Sequence, residues 1–203
     1  MSLYAAENEL RAKHPLLAGV DEAGRGALAG PVVVAAVILD AQRPIAGLND
    51  SKKLTARRRE ALYEAIVEQA VGWKVVEMSA AAVDEMNVLQ ASLLGMRLVL
   101  EGLTPAAGYA LVDGNRLPAL LPCPASAEVK GDGRFASIAA ASIVAKVWRD
   151  RLMCALHRQF PAYGFDRHKG YGAAAHMRAI RQHGICPQHR KTYAPCAQMT
   201  LEL

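Results

Sequence analysis

Residues 18–39 read AGVDEAGRGALAGPVVVAAVIL. Two apolar stretches flank a glycine-rich break, and two acids close the first stretch. Leu16 to Val20 is a short apolar run that stops at Asp21 and Glu22, with glycines following at 24, 26 and 30. That is the pattern of a strand ending in a turn. Pro31 to Leu39 is β-branched and continuously apolar, which suits a central strand covered on both faces. It is also the longest purely apolar stretch, and far too short to cross a bilayer. The glycines are spaced GxGxxxG, an apolar strand follows them, and the next acid, Asp40, comes early. A dinucleotide site needs GxGxxG opening a helix, so the loop is read otherwise.

Outward from this stretch the chain alternates. Residues 1–14 form a polar lead-in. GLNDSKKL at 47–54 is a loop, and Thr55 caps a helix on which Leu62, Ile66 and Ala70 recur at spacing four. Gly72 breaks that helix, and Trp73 to Met78 alternates as a strand. Leu89, Leu93, Met96 and Leu100 mark a second amphipathic helix, ended by Gly102 and Pro105. Tyr109 to Asp113 is another short strand, stopped by Gly114, and prolines at 118, 122 and 124 mark a loop. Ser137 to Arg158 is the longest helical segment, with Ile138, Ala141, Ala145, Leu152 and Leu156 as its buried stripe. HKGYG at 168–172 is a loop, Ala173 to His183 a short helix, and the tail from Gly184 is irregular. Strands interleaved with helices, without repeats or linkers, predict one α/β domain around a mixed sheet.

The chain has 203 residues, 52% hydrophobic and 21% charged, enough for a core without disulfides and incompatible with wholesale disorder. MSLYAAENEL has neither a basic nor an apolar leader segment. Cysteines at 123, 154, 186 and 196 form no CxxC, so a reduced, cytoplasmic protein without membrane attachment is expected. Cys154 reads as a buried apolar side chain of the long helix. Charge is lopsided. Residues 1–113 carry 11 basic and 14 acidic groups, whereas residues 114–203 carry 13 and 5, plus five of the six histidines. A basic half suggests a polyanionic partner, nucleic acid being the commonest, and a solvated basic surface equally fits the charge alone.

The acids carry the chemistry. Asp21 and Glu22 end one strand, Asp113 ends another before Gly114, and Asp132 lies between glycines in KGDGR ahead of the long helix. Acids at strand ends can converge at one edge of a sheet. Their oxygens suit Mg²⁺ or Mn²⁺, and four carboxylates together would repel without such ions. That set fits two-metal phosphodiester hydrolysis. Neighbours on a strand point to opposite faces, so Asp21 and Glu22 share a site only if the strand ends or bulges there. Each acid alone also reads as a turn or cap residue, Asp132 as a charge favouring the long helix's N-terminus. Asp150 competes for the fourth place, but an ion pair with Arg149 or Arg151 accounts for it more simply. Ser142, Lys146 and Arg149 share a helix face that can follow a phosphate backbone, or be merely solvated. Arg57 to Arg59 read as a solvated face. His183, Cys186, His189 and Cys196 are metal-capable, but their spacing fits no common zinc finger.

AGVDEAGRGALAGPVVVAAVIL at 18–39, LNDSKKL at 48–54, LVDG at 111–114, VKGD at 129–132, AAASIVAKVWRDRLM at 139–153 and HKGYG at 168–172 together resemble bacterial ribonuclease HII. The resemblance spans about residues 16–193, in the family's order. It implies a ribonuclease H-like fold: a central mixed sheet flanked by helices, with a short helical C-terminal segment, about 160–203, that contacts substrate. It implies Mg²⁺- or Mn²⁺-dependent cleavage of the RNA strand of RNA–DNA hybrids. It further implies incision 5′ to single ribonucleotides in duplex DNA, giving 3′-hydroxyl and 5′-phosphate ends, as in ribonucleotide removal during replication and repair.

By the same resemblance Asp21, Glu22, Asp113 and Asp132 are the metal carboxylates. One metal would activate the attacking water and the other stabilise the leaving 3′ oxygen. Gly24, Arg25 and Gly26 match the loop that reads the ribose 2′-hydroxyl, the group that separates RNA from DNA. Tyr171 matches a tyrosine that stacks on the next deoxyribose, and Lys52 a lysine near the scissile phosphate. Ser142, Lys146 and Arg149 fall on the backbone-following face. His189 and Arg190 belong to the family's metal-free C-terminal segment, and Thr192 stands where serine is expected. The tail Gln198–Leu203 (QMTLEL) resembles sliding-clamp peptides without their aromatic ending, and also reads as a frayed terminus. The rival from another class is a non-catalytic nucleic-acid-binding module. The charge split fits both, but a pure binder gains nothing from acids clustered against phosphate.

Overall fold

A computed structural model describes residues 3–200, with side chains through residue 198. Its five strands are β1 (Leu17–Ala23), β2 (Val32–Ile38), β3 (Gly72–Met78), β4 (Tyr109–Asp113) and β5 (Ala125–Glu128). They form one mixed sheet in the order β3-β2-β1-β4-β5. β2 runs antiparallel to both β1 and β3, whereas β4 runs parallel to β1 and β5 parallel to β4.

The continuous apolar reading of β2 is correct, and every residue of that strand is fully buried. Its side chains alternate between two layers, as a pleat requires. Val32, Val34, Ala36 and Ile38 pack with Met96, Val99 and Leu100 of α4 (Val88–Glu101). Val33, Ala35 and Val37 pack on the other face with Leu62 and Ile66 of α2 (Ala56–Gln69) and Ile143 and Val144 of α5 (Ala136–Gln159). Each such valine contributes about 1.5–3 kcal/mol by leaving water. No helix among the described residues is long and apolar enough to cross a membrane.

α5 lies directly on β1, because Gly19 has no side chain. A Cβ there would stand 2.0 Å from the carbonyl carbon of Ser137. The first ten residues of α5 are buried, a wider surface than the expected stripe, whereas Leu152 and Leu156 are only half-buried. The N-terminus of α5 has no cap from its neighbour Phe135. The buried Glu7 serves instead, its Oε1 accepting from the Ser137 amide at 2.7 Å and hydroxyl at 2.6 Å. Arg11 completes the arrangement by donating to Glu7 Oε2. The polar lead-in is therefore structural, a turn at Ala5–Glu7 followed by α1 (Asn8–Lys13).

Three further elements depart from expectation. The short strand β5 and the helix α3 (Ala80–Met86) were not legible, and β1 does not end at Asp21. Its register with β2 continues without a bulge through Glu22 opposite Val34 and Ala23 opposite Val33. On the other side, pairing with β4 stops at Val20 opposite Val112. The acids thus occupy the length of β1 that projects past its parallel neighbour. The C-terminal part is helical in short pieces, α6 (Phe165–His168), α7 (Ala174–His183) and α8 (Cys196–Thr200), the last in a tail expected to be irregular.

Candidate active site

Where β1 outruns β4, a cleft of 470 Å³ opens, lined by Asp21, Glu22, Gly24, Arg25, Gly26, Lys52, Ser142, Lys146 and Tyr171, together with Ser51. One concavity therefore gathers most of the residues singled out from the sequence. Two loops supply Gly24 to Gly26 and Tyr171, and three elements position the rest. β1 supplies the acids, the turn Ser51–Lys53 supplies Lys52, and α5 supplies Ser142 and Lys146. The turn is held from behind by Arg59, which donates to the carbonyls of Ser51 and Leu54. That arginine is thus not part of a merely solvated face. Thr55 caps α2 as expected, accepting from the Arg58 amide.

The carboxylates share one electric field. Asp21 is pushed well above the ordinary carboxylate range by burial, and then by Glu22 and Asp113, while Ser142 and the Glu22 amide pull it back. Burial also raises Glu22, against the pull of Arg25 at 3.2 Å, and Asp113 adds to the rise. Asp132, in the turn Gly131–Gly133, is raised by burial, Asp50 and Asp113, with Lys52 opposing. Asp113 anchors that turn by accepting from the Gly131 amide at 2.7 Å. Lys52 is lowered by burial but raised on balance by Asp132, Asp21, Asp50 and Asp113. Asp132 is therefore part of the acid group rather than a plain helix charge, and Asp50 joins it unforeseen. Asp150 is elsewhere, paired with Lys146 at 2.6 Å, while Arg151 reaches Glu60 and Glu64.

Among the described residues no three His, Cys, Asp or Glu side chains form a ready-made metal cage. The donor set nevertheless fits a divalent cation. Among the described residues Glu22 Oε2 is buried with no hydrogen-bond partner, and every acid around it offers only oxygen. A buried, unpaired carboxylate oxygen among like charges is what a hard cation would relieve.

The glycine loop is held by two buried arginines. Arg190 donates to the carbonyls of Gly24, Arg25 and Gly30. Arg149 donates to those of Ala29 and Pro31, and to Lys169 in the loop 168–172. The reading of Arg149 as part of a phosphate-following face is corrected here. Its side chain is fully buried, and burial lowers it to about 10. At residue 149 the helix face has turned under the glycine loop. Ser142 also points inward, its hydroxyl 2.9 Å from that of Ser51, and it pulls the Asp21 carboxyl down. Of the three, Ser142 and Lys146 line the cleft, and the Lys146 ammonium lies 5.7 Å from the Tyr171 ring centroid.

Tyr171 is 37% exposed at the rim of the cleft. Three successive carbonyls of its loop are held: Lys169 by Arg149, Gly170 by the Leu28 and Ala29 amides, and Tyr171 by the Ala173 amide and by His176 Nδ1 at 2.9 Å. In the metal-capable cluster nearby, His189 has no nitrogen left for a metal. Both ring nitrogens of His189 are engaged, with the Cys186 amide and with His176, and burial lowers that ring to about 4. Thr192, standing where serine is expected, donates its hydroxyl to Asp84. Cys154 is half-buried rather than buried, its sulfur accepting from Lys169.

The family model for ribonuclease HII matches residues 18–196. The chain belongs to the ribonuclease HII family. Ribonuclease HII of Xylella fastidiosa (strain M12) is 54% identical over 200 residues, covering 98% of this chain and 86% of the relative. Among solved structures, ribonuclease H2 from Pyrococcus horikoshii OT3 superposes with a TM-score of 0.77 at 27% identity, over 92% of this chain and 97% of that one. The chain in the PCNA:RNase HII complex from Archaeoglobus fulgidus gives 0.69 at 30% identity, over 88% and 95%. The expected ribonuclease H-like architecture is thus found, and the enzyme is a ribonuclease H, an endoribonuclease acting on RNA–DNA hybrids.

Proposed function

We propose that this cleft makes the enzyme a Mg²⁺- or Mn²⁺-dependent endonuclease that cuts 5′ to single ribonucleotides in duplex DNA, leaving 3′-hydroxyl and 5′-phosphate ends. The observation that carries this reading is the unpartnered, buried Glu22 Oε2 within the shared field of Asp21, Asp113 and Asp132, beside the glycine loop. Asp21, Glu22, Asp113 and Asp132 would hold the ions. When bound, two such ions supply an activated water and neutralise charge on the leaving 3′ oxygen.

The chain's own residues do the rest. Lys52, raised by the surrounding acids, stays protonated and offers its ammonium to the scissile phosphate. Ser142 pulls the Asp21 carboxyl down and so favours its ionised, ion-binding form. Gly24 to Gly26 present backbone groups to a ribose 2′-hydroxyl, since Gly26 leaves open space where a side chain would stand. The Tyr171 ring, exposed at the rim, packs against the following sugar, where a second 2′-hydroxyl would clash. Lys146 meets the backbone once Asp150 releases it. The whole chain acts as one catalytic domain whose segment 160–203 contacts substrate, in the cytoplasm, during ribonucleotide removal in replication and repair.

A sliding clamp is a proposed second partner through Gln198–Leu203. Gln198 lies in α8, and residues 201–203 lie outside the described residues. Clamp binding unchanged by deletion of 198–203 would remove that partner. The catalytic proposal is tested with Asp113→Asn, assayed for cleavage and for duplex affinity in parallel. Cleavage should be lost with affinity retained. Near-normal cleavage at saturating Mg²⁺ would refute the metal assignment.

A further inference from the structure

His176 and His189 are buried, at 0% and 1% exposure, yet neither touches an ion or an acid. Around them stand three rings: Tyr163, 4.9 Å from that of His189, Phe165, 5.5 Å from that of His176, and His168, which stacks on His176 at 4.4 Å. Burial lowers both rings, His189 to about 4, and so favours the neutral form with one ring proton.

The hydrogen bonds decide where those protons are. A peptide N–H can only donate, and the Cys186 amide lies 2.9 Å from His189 Nδ1. That nitrogen therefore accepts, and the His189 proton is on Nε2. His189 Nε2 faces His176 Nε2 at 3.1 Å, so the latter accepts and the His176 proton is on Nδ1. A carbonyl can only accept, and His176 Nδ1 donates to that of Tyr171 at 2.9 Å. With both ends fixed by the backbone, the two rings have one arrangement.

The bond is not needed merely to satisfy that carbonyl, which already accepts from the Ala173 amide at 2.8 Å. A second donor further restrains the peptide that follows Tyr171, next to the Cα that carries the ring. The ring is backed by Arg149, whose guanidinium carbon lies 5.3 Å from its centroid. Two buried polar rings cost desolvation that a hydrophobic pair would avoid.

We propose that the chain Cys186–His189–His176–Tyr171 is a positioning device, in which His189 and His176 aim the Tyr171 ring and so tune preference for a ribonucleotide followed by a deoxyribonucleotide. This inference rests on the proposed role of Tyr171 as the ring that packs on the following sugar.

The test compares cleavage of duplex DNA carrying one ribonucleotide with cleavage of a uniform RNA–DNA hybrid. The readout is the ratio of kcat/KM values, with thermal melts confirming that each variant is folded. His189→Leu breaks the chain and should lower the ratio about tenfold, the worth of one buried hydrogen bond. His189→Gln, which can accept and donate at similar reach, should restore it to within about twofold of the parent. Tyr171→Ala sets the floor. A ratio unchanged in His189→Leu but lost in Tyr171→Ala overturns the positioning device. A ratio unchanged in Tyr171→Ala overturns the reading of Tyr171 and the device with it. Should His189→Leu not fold, nitrogen-15 NMR of the parent enzyme decides. The device requires His189 as the Nε2–H tautomer and His176 as the Nδ1–H tautomer, and either reversed tautomer contradicts it.

Discussion

Gly24 and Arg149 fit so closely that a Cβ on residue 24 would stand 2.0 Å from Arg149 Nε. Residue 24 also has φ of +97°, a conformation that side chains rarely adopt. The contact joins the glycine loop to α5 and, through the Arg149 bond to the Lys169 carbonyl, to the loop that carries Tyr171. The two elements proposed to read the sugars are thus mechanically one.

Gly24→Ala should cost about 1–3 kcal/mol of stability, from strain at positive φ and displacement of Arg149. A thermal melt gives the cost, and cleavage at a single ribonucleotide should fall with it. A variant as stable and active as the parent would show that residue 24 tolerates a side chain.

Arg149→Met removes the donors from three carbonyls and should destabilise the fold by about 3 kcal/mol. Denaturant unfolding measures this. A phosphate-contacting residue would behave otherwise, leaving stability intact and reducing the salt dependence of duplex binding.

Asp21→Asn should abolish cleavage yet stabilise the metal-free protein. Burial, Glu22 and Asp113 raise the Asp21 carboxyl, so the folded state holds its proton to higher pH than the unfolded chain does. Stability therefore falls as pH rises from the ordinary carboxylate range through that raised value, and asparagine removes the loss. Melts in EDTA at pH 7 should show a higher midpoint for Asp21→Asn, and added Mg²⁺ should stabilise the parent more than the variant.

His189 gives the opposite slope. It is held down to about 4, so the unfolded chain binds its proton first as pH falls. Stability from this ring is complete above its ordinary value of about 6.5 and is lost between there and about 4, amounting to about 3 kcal/mol. His189→Gln should flatten that part of the pH–stability curve. An unchanged curve would mean that the ring is not held neutral.

The legible parts of the fold were those with local signatures. β2 announced itself through VVVAAVI, α2 through Thr55 and its apolar spacing, and the acids through their places beside glycine. What was hidden depended on distance along the chain. Glu7 caps α5 from 130 residues away, and Arg190 reaches back across 166 to Gly24, with no local pattern to mark either. β5, reading ASAE, is held by pairing with β4 rather than by its own propensity. Arg149 looked like part of a solvated face because helical spacing tells which residues share a face, not what covers it. The supposed bulge at Asp21 proved unnecessary because β4 is short, a property of the neighbouring strand.

The most direct test of the central claim is a strand-resolved cleavage assay with Mg²⁺ or Mn²⁺ and EDTA controls. It compares duplex DNA holding one ribonucleotide, a uniform hybrid and plain DNA. The cleft as described predicts a metal-dependent cut 5′ to the single ribonucleotide, with plain DNA intact. Cleavage that persists in EDTA, or no cut at the single ribonucleotide while the uniform hybrid is cleaved, would contradict it.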